Sequence, residues 1–207
     1  PRFRQTVAYN GSLWNNDFPD GQLFEGATSS PTSAANKTGA ILHKLIPRDL
    51  AGAGSNYQMA PSGILFRVAE LYLTLAEALN ESGSAPSAGV YDAIDLVRQR
   101  AGMPPLPRNL SKEQMRERIK NERDLDLAYE DHRLWDIRRW MDAENEGVMQ
   151  GSFYKVVITR VSGSGLKQKC NYVIEPYETR IFHRKMYLHP LQEKEVNKGY
   201  LFQNPGW

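Results

Sequence analysis

An apolar stripe with helical spacing runs through residues 64–82 and narrows the folds open to this chain. Its members recur at intervals of three or four positions: Leu65, Val68, Ala69, Tyr72, Leu75, Ala76 and Leu79. Side chains spaced in this way share one face of an α-helix. The other stripe is polar, and Gly83 supplies a typical helix stop. The sequence therefore predicts an amphipathic helix that buries its apolar face against another element.

A second helix is predicted over residues 87–101. Its inward-facing residues would be Val90, Ile94, Val97 and Ala101. Gly102, followed two positions later by a proline, ends the pattern. Only a short turn of Gly, Ser and Pro separates this helix from the first one. The two helices are therefore expected to form an antiparallel hairpin.

A complete start signal for a third helix lies at Ser111. Ser111 suits the N-cap, and Gln114, three positions later, is placed to complete a capping box. Leu110 is spaced to pack on Met115 as a hydrophobic staple. We expect this helix to run to about Tyr129.

A further, turn-rich helix is predicted after residue 131. Its apolar side would consist of Leu134, Ile137 and Met141. The neighbouring Trp135 and Trp140 are expected to anchor this helix in the core.

The pattern changes from helical to extended beyond Gly151. Residues 153–161 and 166–174 are rich in β-branched and aromatic side chains, and the Ser-Gly-Ser-Gly stretch at 162–165 separates them. This arrangement predicts a β-hairpin.

In the tail we expect an extended piece over 181–188 and a short helix over 192–198. The terminal Trp207 should dock, since an indole is costly to leave in water.

Residues 1–60 are rich in Gly, Ser, Asn and Pro and show no sustained apolar period. They are expected to form long loops with short extended pieces. Loops of this length often bind ligands, with disorder as the alternative.

The predicted fold class is mainly α, with a loop-rich region 1–63, a helical region 64–145, and a β-hairpin and docking tail 146–207.

The charge balance does not favour a nucleic-acid binder. The chain has 26 basic and 24 acidic side chains, and the basic ones do not gather into a stripe. No apolar run approaches the roughly 20 residues that a membrane-spanning helix needs. The single cysteine, Cys170, cannot close an intrachain disulfide.

No catalytic, metal-binding or cofactor motif stands out in the sequence. Acid-base catalysis needs two carboxylates that converge across a cleft. The acidic residues after position 121 are instead interleaved with arginine, and four residues fit pairing within and between helices: Glu122, Arg123, Asp126 and Glu130. The four histidines lack metal-binding spacing, and no nucleophile elbow or phosphate loop is present. We expect a protein that performs no catalysis and needs no cofactor or metal.

Aromatic and amide side chains are concentrated in the loops before residue 64. An aromatic face covers the apolar face of a sugar ring, while amides and carboxylates pair with its hydroxyls. The candidate ligand-binding residues are Trp14 as the stacking platform, with Asn10, Asn16, Asp17 and Tyr57 as its partners. In the competing interpretation Trp14 packs its loop onto the core, and the ligand binds elsewhere.

Several motifs follow one another in a recognisable order across nearly the whole chain. They are PRF at 1–3, VAYNG at 7–11, FRVAELYL at 66–73, AEALN at 76–80, VRQRAG at 97–102, EDHRLWDIRRW at 130–140, YLHP at 187–190 and QNPGW at 203–207. As an ordered set they resemble the C-terminal region of the SusD/RagB family of outer-membrane nutrient-binding lipoproteins.

The resemblance implies a SusD-like fold with tetratricopeptide-type hairpins, of which residues 64–101 would be the last. It also implies a protein lipid-anchored at the cell surface that binds a glycan, or sometimes a peptide, and delivers it to a TonB-dependent, SusC-like outer-membrane transporter. The signal peptide, the lipidated cysteine and the earlier hairpins are expected in an N-terminal part that is absent from this chain. Cys170 lies mid-chain and is not expected to be the lipid anchor.

Two other classes of protein compete with this interpretation. A helical-repeat scaffold could grip a peptide, but a solenoid needs about three repeats and the helices here give way to loops and strands. A glycan-cleaving enzyme would need a placed acid and base pair. The upstream coding sequence would discriminate between the classes, because a signal peptide with a lipobox cysteine supports the lipoprotein alone.

Overall fold

The computed structural model of the chain describes residues 2–16, 19–27, 37–47, 63–164 and 167–207. In chain order its elements are α1 (Arg2–Thr6), β1 (Val7–Tyr9), β2 (Ala40–Leu42), α2 (Val68–Ser82), α3 (Ala88–Arg100), α4 (Lys112–Asp126), α5 (Arg133–Arg139), β3 (Gly151–Ser162), β4 (Lys169–Arg180), a 3₁₀ turn (Arg184–Tyr187) and α6 (Glu193–Val196). The fold is mainly helical with a β-hairpin, as the sequence predicts.

The predicted helical hairpin is confirmed by α2 and α3, against which α4 packs. One core joins the three helices, with Leu73, Ile94, Met115 and Ile119 almost completely buried. On α3, Val90, Ile94 and Val97 are buried as the spacing predicts, whereas Ala101 is only partly buried. Tyr91 and Ala93 are buried as well, although they were not predicted. Helices α2, α3 and α4 thus form one hairpin and one further helix around a shared core.

On α2 the buried face differs from the predicted one. The core side is formed by Ala69, Leu73, Ala76 and Asn80. Leu65, Val68 and Leu75 were expected inside, but they are 82%, 64% and 47% exposed. Because α2 is apolar around most of its circumference, its spacing fits either side, and contacts with α3 and α4 select the side of Leu73. The other apolar side is exposed among the residues that the structure describes.

The start of α4 is confirmed in detail. The Ser111 hydroxyl accepts a hydrogen bond from the Gln114 amide N–H at 3.2 Å, and the Gln114 side chain accepts one from the Ser111 N–H at 2.9 Å. The helix ends at Asp126, before the predicted Tyr129. Tyr129 and Asp131 have φ values of 64° and 61°, in the left-handed region that an α-helix cannot continue through.

The tryptophans of the α5 region behave differently from one another. Trp135 is 60% exposed, and its ring lies edge-to-face with the ring of His189, with centroids 6.5 Å apart. Its predicted role as a core anchor is therefore wrong. Trp140 is half-buried and donates from its indole N–H to Glu77 at 2.9 Å. Trp207 docks as expected, donating to the backbone oxygens of Lys185 and Leu188 at 3.0 Å.

The β-hairpin is confirmed and is longer than predicted. β3 and β4 pair antiparallel, with Ile158 opposite Tyr172. Ile158 forms a second, small core with Leu23 and Phe24 from the N-terminal segment. The backbone of that segment also bonds to the hairpin, through the Glu25 N–H and the Ile158 oxygen at 2.9 Å.

At the two ends of the chain, local structure departs from the predictions. The first residues were expected to be loop, yet Arg2–Thr6 is a short helix that leads into the β1–β2 pair, in which Val7 lies opposite Leu42. In the tail, the piece expected to be extended contains the 3₁₀ turn, whereas the short helix after Gln192 is confirmed. Among the described residues no helix is both long and apolar enough to cross a membrane.

We expect Leu73→Ala to lower the free energy of unfolding by about 2–5 kcal/mol, because the side chain is fully buried and its loss leaves a cavity. Leu71→Ala on the same helix is the matched control, since Leu71 is 66% exposed and should cost less than about 0.5 kcal/mol. Urea denaturation of both variants measures the difference. Equal losses would show that the face of α2 has been assigned wrongly.

Candidate functional site

Trp14 is held in the N-terminal segment by a hydrogen bond from its indole N–H to the backbone oxygen of Leu42, at 2.9 Å. The side chain is half-buried. Leu42 belongs to β2, so this bond ties the loop after β1 to the neighbouring strand. It therefore fixes the orientation of the indole ring while part of the residue remains accessible.

Asn10 is buried, and its amide joins the N-terminal segment to the β-hairpin. Its side-chain oxygen accepts from the Leu23 N–H at 3.0 Å, and its side-chain nitrogen donates to the Tyr172 hydroxyl and the Cys170 sulfur, both at 3.3 Å. Gln168 approaches the same oxygen at 3.4 Å. The groups that could meet a ligand hydroxyl are therefore engaged within the protein.

Of the other three predicted ligand-binding residues, the structure describes one. Asn16 is exposed and lies two positions from Trp14. Asp17 and Tyr57 lie outside the described residues. The structure thus brings Trp14 and Asn16 onto one accessible loop, while Asn10 lies inside the segment that supports it.

A cleft of about 400 Å³ opens beside this loop, and sequence reasoning did not identify most of its lining. It is lined by Arg4, Gln5, Tyr9, Ser12, Leu13 and His43, among others. Phe3, 61% exposed, stacks on Tyr9 with ring centroids 5.5 Å apart. Tyr9 belongs to the aromatic and amide pattern of the loops, whereas Arg4, Leu13 and His43 do not. Arg4 and Gln5 belong to helix α1, which was not predicted, and His43 is placed beside them by the pairing of β1 with β2. The cleft therefore could not be predicted from local sequence patterns.

A buried ion-pair cluster lies on α4 and the turn after it. Glu122, Asp126 and Glu130 are spaced by four residues and are 1%, 5% and 8% exposed. Glu122 pairs with Arg2 and, at 2.8 Å, with Arg98. The interhelical pairing that the sequence predicts for these acidic residues is confirmed.

The two carboxylates at the C-terminal end of the cluster share Arg67. Its guanidinium lies 2.7 Å from Asp126 and 2.5 Å from Glu130. Arg100 adds a second contact to Asp126 at 2.7 Å, and Lys44 pairs with Glu130. The Lys44 ammonium also donates to the backbone oxygens of residues 126 and 128, at 2.8 and 3.0 Å, and so satisfies carbonyls at the end of α4.

A second buried pair holds α5 against α4. Arg123 donates two hydrogen bonds to Asp136, at 2.9 and 3.1 Å, and a third to the Thr74 hydroxyl of α2, at 3.1 Å. Arg139 bridges Asp136 and Glu77. Four of the acidic residues that might have served as acid and base are thus engaged by cations: Glu122, Asp126, Glu130 and Asp136.

These contacts set the acidity of Glu130. Burial by itself raises the pKa of this carboxyl, but hydrogen bonds from Arg67 and Lys44, together with their positive charges, outweigh burial. The pKa of Glu130 therefore lies below its ordinary value of 4.5. Glu130 is a carboxylate at neutral pH and cannot act as a proton donor there.

Within the described ranges, no group of three or more His, Cys, Asp or Glu residues is arranged to hold a metal ion.

The fold is that of a known protein family. All 207 residues match the SusD family, and the chain belongs to that family. The SusD-like protein P25 of Formosa agariphila is 39% identical over 80 residues, which is 37% of this chain and 15% of that protein.

Solved structures show the same similarity. A SusD-like protein from Bacteroides fragilis superposes with a TM-score of 0.77 at 27% identity, over 100% of this chain and 39% of its own. A SusD-like carbohydrate-binding protein from the same species gives a TM-score of 0.71 at 25% identity, over 95% of this chain and 40% of its own. The chain spans about two fifths of the length of these solved relatives.

We expect the protein to lose stability as the pH falls below 4.5, and Glu130→Gln to reduce that loss. The pKa of Glu130 is lower in the folded chain than in the unfolded one, so the stabilisation is complete above the ordinary value and disappears as the pH falls through the folded value. Chemical denaturation between pH 3 and pH 7, roughly the range in which carboxyl groups titrate, measures the effect. Glu117→Gln, at a side chain that is 71% exposed, is the control. Identical pH profiles for both variants and the unchanged chain would contradict the interpretation.

Proposed function

We propose that the protein binds a glycan at the outer surface of the cell and passes it to a TonB-dependent, SusC-like transporter in the outer membrane. The observation that carries the proposal is the match of the whole chain to the SusD family. It is supported by the similarity in fold to a SusD-like protein described as carbohydrate-binding. The anchor would be a lipid on an N-terminal part of the protein that precedes this chain.

The proposed activity is binding without chemistry. Catalysis of glycan cleavage would require one carboxyl group that donates a proton and a second that acts as base or nucleophile. Glu122, Asp126 and Glu130 are instead each paired with two or more cations. Carboxylates occupied by ion pairs with arginine and lysine suit a structural role.

In this proposal the glycan contacts the loop that carries Trp14. A ring whose orientation is already fixed by the bond to Leu42 loses little conformational freedom when a sugar stacks on it. Asn16, exposed on the same loop, supplies an amide for hydroxyl groups. Asn10 contributes by holding the loop to the β-hairpin. Asp17 and Tyr57 are retained as predicted contacts.

The cleft beside the loop extends the same site. Its volume of about 400 Å³ falls within the range of roughly 300–1,000 Å³ typical of small-molecule sites. Tyr9 provides an aromatic surface, and Arg4, Ser12 and His43 provide groups that can form hydrogen bonds with hydroxyls. A sugar unit bound on Trp14 could therefore be followed by a second unit in the cleft.

We expect Trp14→Ala to weaken glycan binding by about 1–3 kcal/mol, the loss typical of an aromatic contact in a binding site. The lost hydrogen bond to Leu42 should lower the free energy of unfolding by only about 1 kcal/mol. Binding to a panel of soluble polysaccharides, measured by affinity electrophoresis at low temperature, provides the test. Trp135→Ala is the matched control, because Trp135 is exposed and lies on α5.

The competing interpretation of Trp14 predicts the reverse result. A Trp14→Ala protein that melts far earlier and yet binds the polysaccharide normally at low temperature would show that the indole packs the loop. The ligand site would then lie elsewhere, and the role proposed for Trp14 would be wrong.

We also expect the protein in intact cells to be cleaved by protease added outside, and to co-purify with an outer-membrane barrel protein. Both results follow from a surface position beside a transporter. A periplasmic protein that stays intact in the same experiment controls for leakage. Protection of the protein until the cells are lysed, with no barrel protein recovered, would contradict the proposed location and partner.

A further inference from the structure

A second cleft, of about 420 Å³, lies next to the first and is strongly charged. Its charged lining consists of Arg2, Lys44, Arg67, Arg100, Asp126 and Glu130. We propose that this cleft binds the single negative group of an acidic glycan, either the carboxylate of a uronic acid unit or a sulfate ester. The proposal rests on the proposed function and specifies the class of glycan.

The charges around the cleft favour an anion. Among the described residues, five cations surround three carboxylates: Arg2, Lys44, Arg67, Arg98 and Arg100 around Glu122, Asp126 and Glu130. Two positive charges are therefore left over. The C-terminal ends of α3 and α4 meet here, and each carries about half a negative charge from its backbone dipoles. The N-terminal end of α2, whose N-cap Arg67 lines the cleft, adds about half a positive charge. A net charge of about +1.5 remains, which favours binding of an anionic group.

Two arginines have donors available for such a group. The guanidinium of Arg100 contacts Asp126, yet the side chain is 61% exposed, so most of it remains accessible at the mouth of the cleft. The Nε of Arg2 is buried and has no hydrogen-bond partner among the described residues, and it lies 4.0 Å from a carboxylate oxygen of Asp126. Lys44, in contrast, already contacts three acceptors. A planar oxyanion offers several acceptors to an arginine fork.

The position of the cleft connects it to the proposed glycan site. Gln5 lines both clefts, so the two adjoin at α1. A glycan with one unit beside Tyr9 could therefore extend its anionic substituent past Gln5 to Arg100. Neutral glycans would use the first cleft alone, and acidic ones would use both.

Isothermal titration calorimetry of the chain tests the proposal with four probes at constant ionic strength: galactose, galacturonate, galactose 6-sulfate and inorganic sulfate. We expect galacturonate or galactose 6-sulfate to bind more tightly than both galactose and inorganic sulfate. Arg100→Gln should weaken that binding about tenfold, the effect of losing a charged hydrogen-bond donor. Arg100→Lys should retain part of it.

Two further variants separate the local effect from net charge. Arg108→Gln removes an arginine of similar exposure, 55%, that pairs with Asp95 away from the cleft, and it should leave the affinity for the acidic sugar unchanged. Gln5→Glu adds a carboxylate of the same shape to the lining and should abolish binding of the acidic sugar. Thermal melting of each variant establishes that it is folded.

Four results would overturn the proposal. Binding of inorganic sulfate alone would mean an adventitious ion only. Equal losses in Arg100→Gln and Arg108→Gln would mean that net charge, and not the cleft, attracts the anion. If neutral polysaccharides bind and no acidic sugar does, the acidic specificity fails while the proposed function stands. If no glycan of either kind binds, the proposed function fails as well.

Discussion

The buried carboxylates of Glu122, Asp126 and Glu130 determine how the separate parts of this chain are joined. They receive cations from α1, from the segment after β2, from the residue before α2 and from the end of α3. Arg2 and Glu122 are separated by 120 positions in sequence. Because desolvating charges costs almost as much as pairing them returns, we interpret the cluster as fixing an arrangement more than adding net stability. Removing one partner would leave a buried charge uncompensated, which is the costly outcome.

The turn after α4 illustrates this constraint. Tyr129 and Asp131 both adopt left-handed backbone conformations, which are unfavourable for residues other than glycine. Glu130 lies between them and is held by Arg67 and Lys44. Lys44 also caps the C-terminal end of α4, because its ammonium donates hydrogen bonds to backbone oxygens there. The ion pairs therefore hold a strained turn, terminate a helix and attach the N-terminal segment together.

Both clefts of the proposed site depend on that attachment. They share Gln5 of α1, and α1 is held to the helices through Arg2. The Trp14 loop is fixed through Leu42 in β2, and Asn10 ties the same segment to the β-hairpin. A binding surface composed mostly of loops thus gains its shape from a helical core on one side and a hairpin on the other, as expected when function lies on loops positioned by a rigid scaffold.

Local features of the chain were determined by the sequence itself. The capping box at Ser111, the hairpin of α2 and α3, and the strands β3 and β4 all follow from spacing and turn residues, since these act over a few neighbouring positions. The family was recognisable for the same reason, as an ordered set of short motifs. Tertiary structure decided which side of α2 is buried, that Trp135 is exposed, and that the Asn10 amide is engaged by the hairpin. It also decided where the clefts lie. These outcomes depend on contacts between residues distant in sequence. The apolar spacing of α2, for example, fits two faces of the helix, and only its contacts with α3 and α4 select the buried one.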